Sequence, residues 1–147
     1  MTARLKHRLP GWQRWTLFAS GLVLLLSGLV WLALHYVVGA GGDALPHPLE
    51  PWAMRLHGFA ASVAIFALGA LAAAHIPHGW HLSGRPRWAG QRGTGVALCT
   101  LGAALAFSGY LLYYFAPESV RPGMGWVHSA LGILAAAVLV SHRRTKS

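Results

Sequence analysis

Apolar residues along the chain follow neither an alternating nor an amphipathic pattern. They gather in four long runs, at about 15–38, 52–76, 93–116 and 123–141. The first, from Trp15 to Val38, holds no charged residue. At 1.5 Å per residue it extends about 36 Å, enough to cross a hydrocarbon core of about 30 Å. Each of the other runs is long enough to span with a modest tilt. The pattern predicts an all-α, four-helix transmembrane bundle in a single integral membrane domain covering residues 1–147, with both termini on one side.

Composition agrees. Of 147 residues, 55% are hydrophobic and only 10% charged, against about a quarter charged in an ordinary soluble domain. The net charge of +9 raises the question of nucleic acid, but the apolar runs require a lipid bilayer as partner first, and no nucleic-acid role is expected. The placement of the basic residues gives the orientation. Arg4, Lys6, Arg8, Arg14, Arg85, Arg87, Arg92, Arg143, Arg144 and Lys146 fall on one side, while Arg55 and Arg121 fall on the other with Asp43, Glu50 and Glu118. The positive-inside rule then puts the N- and C-termini in the cytoplasm. A cleaved signal peptide is the competing reading of the N-terminus, but its apolar core would be about 7–15 residues and this run is longer. The first span is expected to be retained.

The connections read as compact. Pro46, Pro48 and Pro51 favour an ordered external loop after Gly39, Pro77 is expected to end or kink the second helix just beyond His75, and Pro117 and Pro122 bracket the short third connection.

Nine histidines carry the candidate chemistry. Five of them, His35, His57, His75, His128 and His142, lie within or at the ends of the apolar runs, where ionisable groups are costly and mark function by default. No lysine or carboxylate accompanies them at membrane depth, which favours a metal over a proton relay. His57 and His75 are 18 residues apart, five full turns of helix, so both project from one face about 27 Å apart. His128 and His142, 14 residues apart, again share a face, about 21 Å apart. The second and fourth helices run in the same direction, so the histidines pair as His57 with His128 near the outer surface and His75 with His142 near the inner one. Facing imidazoles with a flat apolar macrocycle between them are the arrangement of a bis-histidine haem b. Cys99 is the single cysteine, which excludes a covalent haem attachment site and any intrachain disulfide.

Glycines recur at seven-residue intervals: Gly21 and Gly28, then Gly95, Gly102 and Gly109, then Gly125 and Gly132. They suit close approach of a porphyrin or of a neighbouring helix equally well. Gly58, which follows His57, and Gly132, one turn after His128, are the favoured cofactor contacts. His35 stands outside the pairing, as a secondary ligand candidate, a propionate contact or an interfacial group. His75, His78 and His81, three residues apart around Pro77, offer a weaker divalent-metal cluster.

The stretch Trp126-Val-His128 through His142 resembles the last helix of the membrane cytochrome b subunits of hydrogenases and formate dehydrogenases, and Leu56-His57-Gly58 resembles the outer haem partner of the same family. The phrase Pro46-His-Pro-Leu-Glu-Pro-Trp52 leading into Arg55-Leu-His57-Gly58, with His75 and Gly79-Trp80 after it, is similar to small four-helix bacterial membrane proteins of unassigned function. The resemblance implies a multi-pass protein of the bacterial inner membrane that passes electrons between quinone and a partner redox protein, and makes it a candidate subunit of a larger complex. It departs from that family at its start: the family's Arg-x-x-His-Trp phrase is missing, since Arg4-Leu-Lys-His7 is followed by Arg8 and then Pro10-Gly11. The inner ligand therefore falls to His75, with His7 as a substitute. No nucleophile and base stand at catalytic spacing, so an electron-transfer subunit is expected rather than a stand-alone enzyme. The alternatives are a cofactor-free assembly or packing subunit and a metal-handling membrane protein.

Overall fold

The computed structural model describes residues 10–39, 45–82 and 89–144, apart from the side chains of 74–76, 78–79, 81–82 and 89–91. The described residues are helical, without strands: α1 (Gly11–Ala33) continued by a π-helical turn (Leu34–Val38), α2 (Glu50–Leu82), α3 (Ala89–Tyr114) and α4 (Arg121–Arg144). All four helices are long and apolar enough to cross a membrane, with mean hydropathies of 1.8 to 2.3 over their most apolar windows.

The boundaries differ from the sequence reading in ways that follow from local chemistry. α1 starts at Gly11, directly after Pro10, because the proline carbonyl accepts the first helical bond from Arg14 N–H. α2 begins at Glu50, whose acidic side chain suits the positive end of the helix dipole, and Pro51 occupies the first turn, where its missing N–H costs nothing. Pro122 does the same for α4. At Pro77 the expected break does not occur: the helix runs through it to Leu82. Proline is tolerated inside membrane helices where neighbours satisfy the freed backbone groups.

Packing is strongest within two antiparallel hairpins, α1 with α2 and α3 with α4, and much sparser between them. The first seam is built of small residues. Ser20 and Ser27 are buried on α1 and Ala53, Ala60, Ala64, Ala67 and Leu71 on α2, at spacings of three, four and seven residues. In a solvent as apolar as the side chains themselves, association comes from close backbone approach rather than from hiding large apolar groups. Large hydrophobic side chains accordingly point outward, as with Leu22, Phe59, Phe66 and Phe107. Among the described residues no large side chain is fully buried.

Arginines at the helix ends lie over aromatic rings, Arg55 over Trp52 at 4.8 Å, Arg92 over Trp80 at 4.0 Å and Arg143 over Phe18 at 4.5 Å. The last contact ties α4 to α1 near the chain termini. Amphipathic rings and long basic side chains at span ends are the usual anchors at headgroup level.

Ala67 tests the small-residue seam, since it is 0% exposed. Ala67→Leu should cost about 1–3 kcal/mol by overpacking, read as a lower midpoint of detergent-induced unfolding. The lipid-facing Ala72→Leu should leave the midpoint unchanged.

Candidate functional site

His57 on α2 and His128 on α4 come from different hairpins and meet with ring centroids 6.2 Å apart and planes at 67°. Each ring is held by the partner helix of its own hairpin. Ser27 Oγ on α1 lies 2.9 Å from His57 Nδ1, and Ser108 Oγ on α3 lies 2.7 Å from His128 Nδ1.

Each hydroxyl also has a backbone acceptor within reach: Ser27 Oγ lies 2.7 Å from the carbonyl of Val23, and Ser108 Oγ 3.2 Å from that of Leu105. A serine hydroxyl has one proton and two lone pairs. In the arrangement where that proton goes to the carbonyl, the oxygen accepts from the imidazole, Nδ1 carries the ring proton, and Nε2 keeps the lone pair through which neutral imidazole binds metals.

The residue after each serine is a glycine that lets the ring in. A Cβ on Gly28 would stand 3.5 Å from His57 Cε1, and one on Gly109 would stand 3.4 Å from His128 Cε1. A methyl group at either position would be in ordinary van der Waals contact with the ring, and a side chain continuing toward it would displace the imidazole. Serine holds the Nδ1 edge while glycine admits the adjacent Cε1 edge.

The same device recurs fourteen residues away in the second hairpin, toward the chain termini. Thr94 Oγ1 lies 2.7 Å from His142 Nδ1, and a Cβ on Gly95 would meet His142 Cε1 at 3.8 Å. The side chain of His75, the expected partner of His142, lies outside the described residues, as do those of His78 and His81 and the whole of His7. Near that end of α1, Gln13 Oε1 is buried with no hydrogen-bond partner. Among the described residues no set of three or more histidine, cysteine, aspartate or glutamate side chains stands together for a metal ion.

The favoured glycines lie elsewhere. A Cβ on Gly58 would meet nothing within 4 Å, and one on Gly132 would meet Leu105 Cδ2 at 3.9 Å, a helix contact between α4 and α3. The glycines against the rings are Gly28, Gly95 and Gly109. His35 does not join the pair: it bonds Glu50 Oε2 through Nδ1 at 3.0 Å.

The serine and threonine partners escaped the sequence reading, although a signal for two of them was present. Thr94-Gly95 and Ser108-Gly109 are separated by fourteen residues, the spacing of His128 and His142, as antiparallel neighbours must be if both contacts form. The dipeptide alone is not diagnostic. Ser20-Gly21 shares it, yet Ser20 Oγ bonds backbone carbonyls of its own helix and a Cβ on Gly21 would meet nothing within 4 Å.

Two shallow grooves open beside the pair. One, lined by Val23, Leu26, Ser27, Val30, Ala53 and Leu56, runs along the first hairpin. The other, lined by Ser108, Ser119, Val120, Gly123, Met124 and Val127, runs along the second. Each is apolar and includes one of the ring-holding serines.

Removing one hydroxyl tests the tautomer. In Ser27→Ala the Nδ1 proton of His57 loses its acceptor, so nitrogen NMR of labelled histidine in the cofactor-free protein should show the fixed Nδ1–H form relaxing to a mixture, at a stability cost of about 1 kcal/mol. The signal of His128 should stay as it is.

The chain matches no protein-family model, no curated protein and no solved structure.

Proposed function

We propose that the protein is a membrane electron-transfer cytochrome in which His57 and His128 are the two axial ligands of a haem b, with Ser27 and Ser108 holding them and Gly28 and Gly109 admitting them. The observation that carries this reading is the spacing of the pair. A metal–imidazole bond of about 2.0–2.1 Å, with the ring centre about 1.1 Å behind the nitrogen, puts two rings on one metal at about 6.3 Å between centres. The centroids are 6.2 Å apart. Both Nδ1 atoms are engaged by hydroxyl groups, the outer-shell arrangement that fixes the tautomer and raises the basicity of a metal-bound imidazole.

The sparse contact between the hairpins supports the same reading, because a macrocycle between them supplies the apolar mass that the alanine, serine and glycine faces lack. When bound, the haem supplies reversible one-electron iron chemistry. The chain's own work is to hold two neutral imidazoles at fixed separation, to exclude water from between them, and to prevent either ring from turning its protonated nitrogen inward. His142, held by Thr94 and Gly95, is assigned to a second haem with His75, about 21 Å along α4 from His128.

The charge asymmetry of the sequence puts this second site and both termini at the cytoplasmic face, and the His57–His128 pair toward the outside, in a multi-pass protein of the bacterial inner membrane. With almost no mass beyond the bilayer, the chain exchanges electrons with a partner redox protein or a quinone. The competing account, a cofactor-free assembly subunit, accounts for the three hydroxyl–imidazole contacts as interhelical hydrogen bonds but gives no reason for His57 and His128 to meet at 6.2 Å.

Haem per protein, measured by pyridine haemochrome on the purified chain, decides between them. His57→Ala or His128→Ala should each remove one haem and leave a low-spin spectrum from the other, and His142→Ala should do the reverse. Ser27→Ala and Ser108→Ala should retain the ligands but weaken haem retention about 10–100-fold. Full haem content with unchanged spectra in the His57 and His128 variants would overturn the assignment.

Orientation is tested separately. Reporter fusions after Lys146 and near Arg85 should report cytoplasm, and one near Asp43 the outside.

A further inference from the structure

Gln13 carries a polar side chain to which the haem reading gives no role. Its Oε1 is buried and has no hydrogen-bond partner among the described residues. Two arginines at the same end of the bundle lie over rings instead, Arg14 over Trp15 at 5.9 Å and Arg143 over Phe18 at 4.5 Å. A buried acceptor left without a donor bears the whole penalty of its desolvation, which an aliphatic side chain at this position would avoid.

Register fixes where Gln13 stands. Residues 13, 20 and 27 recur at seven-residue intervals on α1, and Ser20 and Ser27 are buried. In antiparallel helices a step back along one matches a step on along the other. Seven residues back from Ser27 and seven on from His57 put Ser20 opposite Ala64, and a second such step puts Gln13 opposite Leu71. Ala64 and Leu71 are both buried, as that register requires.

The second hairpin has the same plan with one difference. On α3, Thr94 stands fourteen residues before Ser108, and on α4, His142 stands fourteen after His128. These two lie 2.7 Å apart. On α1 the place fourteen residues before Ser27 is Gln13, but on α2 the place fourteen after His57 is Leu71, and the histidine comes one turn later, at position 75. α2 is helical through to Leu82, so position 75 follows Leu71 on the same face, about 6 Å nearer the chain termini.

A hydroxyl at position 13 would fall one turn short of that level. Only Gly11 and Trp12 precede Gln13 in α1, so the helix starts too late to place a hydroxyl there. Glutamine is longer than threonine by two bonds. The Cα–Cβ bond of a helical residue tilts toward the N-terminus of its own helix, so positions offset in this sense on antiparallel helices lean toward each other. We infer that Gln13 Oε1 accepts the Nδ1 proton of His75, and so does for the fourth histidine what Ser27, Ser108 and Thr94 do for His57, His128 and His142.

An amide carbonyl oxygen can only accept, whereas a hydroxyl can also donate. Gln13 therefore places the ring proton on Nδ1 and leaves Nε2 to a metal. It is a positioning residue, acting through the imidazole. The bond needs no cofactor, but its consequence for haem rests on the assignment of His75 and His142 given above. An acceptor at Nδ1 raises the basicity of a metal-bound imidazole. That favours ferric iron and lowers the reduction potential of the inner haem.

The full chain, purified in detergent with nitrogen-15 histidine, is tested in two arms. In the first, haem is removed and nitrogen NMR reads the ring of His75, identified as the signal missing from His75→Ala. Wild type should show the Nδ1–H form. Gln13→Met, which keeps the length of the side chain but not the carbonyl, should give a mixture of tautomers and leave the signals of His57 and His128 as they are. Gln13→Glu, which returns an acceptor of the same reach, should restore the Nδ1–H form. In the second arm, Gln13→Met should weaken retention of one haem about 10–100-fold, the same haem that His142→Ala removes, and raise its reduction potential, with the other haem unchanged. A His75 signal that is the same in wild type and Gln13→Met would overturn the inference. So would a more stable Gln13→Met protein with both haems held as in wild type, the behaviour of an acceptor that has no donor. A chain that purifies without haem would defeat the haem reading, and the NMR arm would still decide the role of Gln13.

Discussion

The bond between an imidazole Nδ1 and a helix hydroxyl is the constraint from which the site follows. Inside a bilayer there is no water to satisfy a histidine, and a polar group left unpaired there costs several kcal/mol. A serine one helix away answers that cost. With its own proton on a backbone carbonyl, as the 2.7 Å from Ser27 Oγ to Val23 O allows, the hydroxyl accepts from Nδ1 and Nε2 is the nitrogen able to bind a metal. The glycine after the serine keeps the same face small, since Cε1 of His57 lies 3.5 Å from where the Cβ of Gly28 would be.

Each hairpin builds one such half-site with its own two helices, hydroxyl on the first and histidine on the second. The halves face each other across the least tightly packed part of the molecule. That division explains why the small residues are where they are. On the α1–α2 seam they bring the backbones close enough for Ser27 to reach His57. On α3 and α4, which bury none of their described residues, Gly102 and Gly132 allow contact with Leu68 of α2 and Leu105 of α3.

Much of the fold was legible because lipid imposes it. Four apolar runs of sufficient length have no other stable outcome than spanning helices, and their spacing gives antiparallel neighbours without further information. The meeting of His57 and His128 was legible too, since helical periodicity places side chains on a face whatever the partner. What periodicity does not contain is the environment of a face. Gly58 and Gly132 were favoured because they lie near histidines in sequence, whereas ring clearance comes from the opposing helix of the hairpin, where sequence distance is 29 residues for Gly28 and 19 for Gly109. Pro77 was expected to end or kink α2, and the helix does not end there, for a related reason: the cost of an interior proline depends on what surrounds the freed carbonyl.

His35 shows the same limit from the other side. As a lone histidine at a span end it has no distinctive signal, and Glu50 reads as an ordinary helix-starting acid. Only the fold brings them to 3.0 Å and buries the carboxylate. The two kinds of histidine then differ by their Nδ1 partner: a neutral hydroxyl for His57 and His128, a buried carboxylate for His35. The choice of Ser27 or Glu50 as partner therefore gives one imidazole an uncharged neighbour and the other an anionic one along a single helix pair.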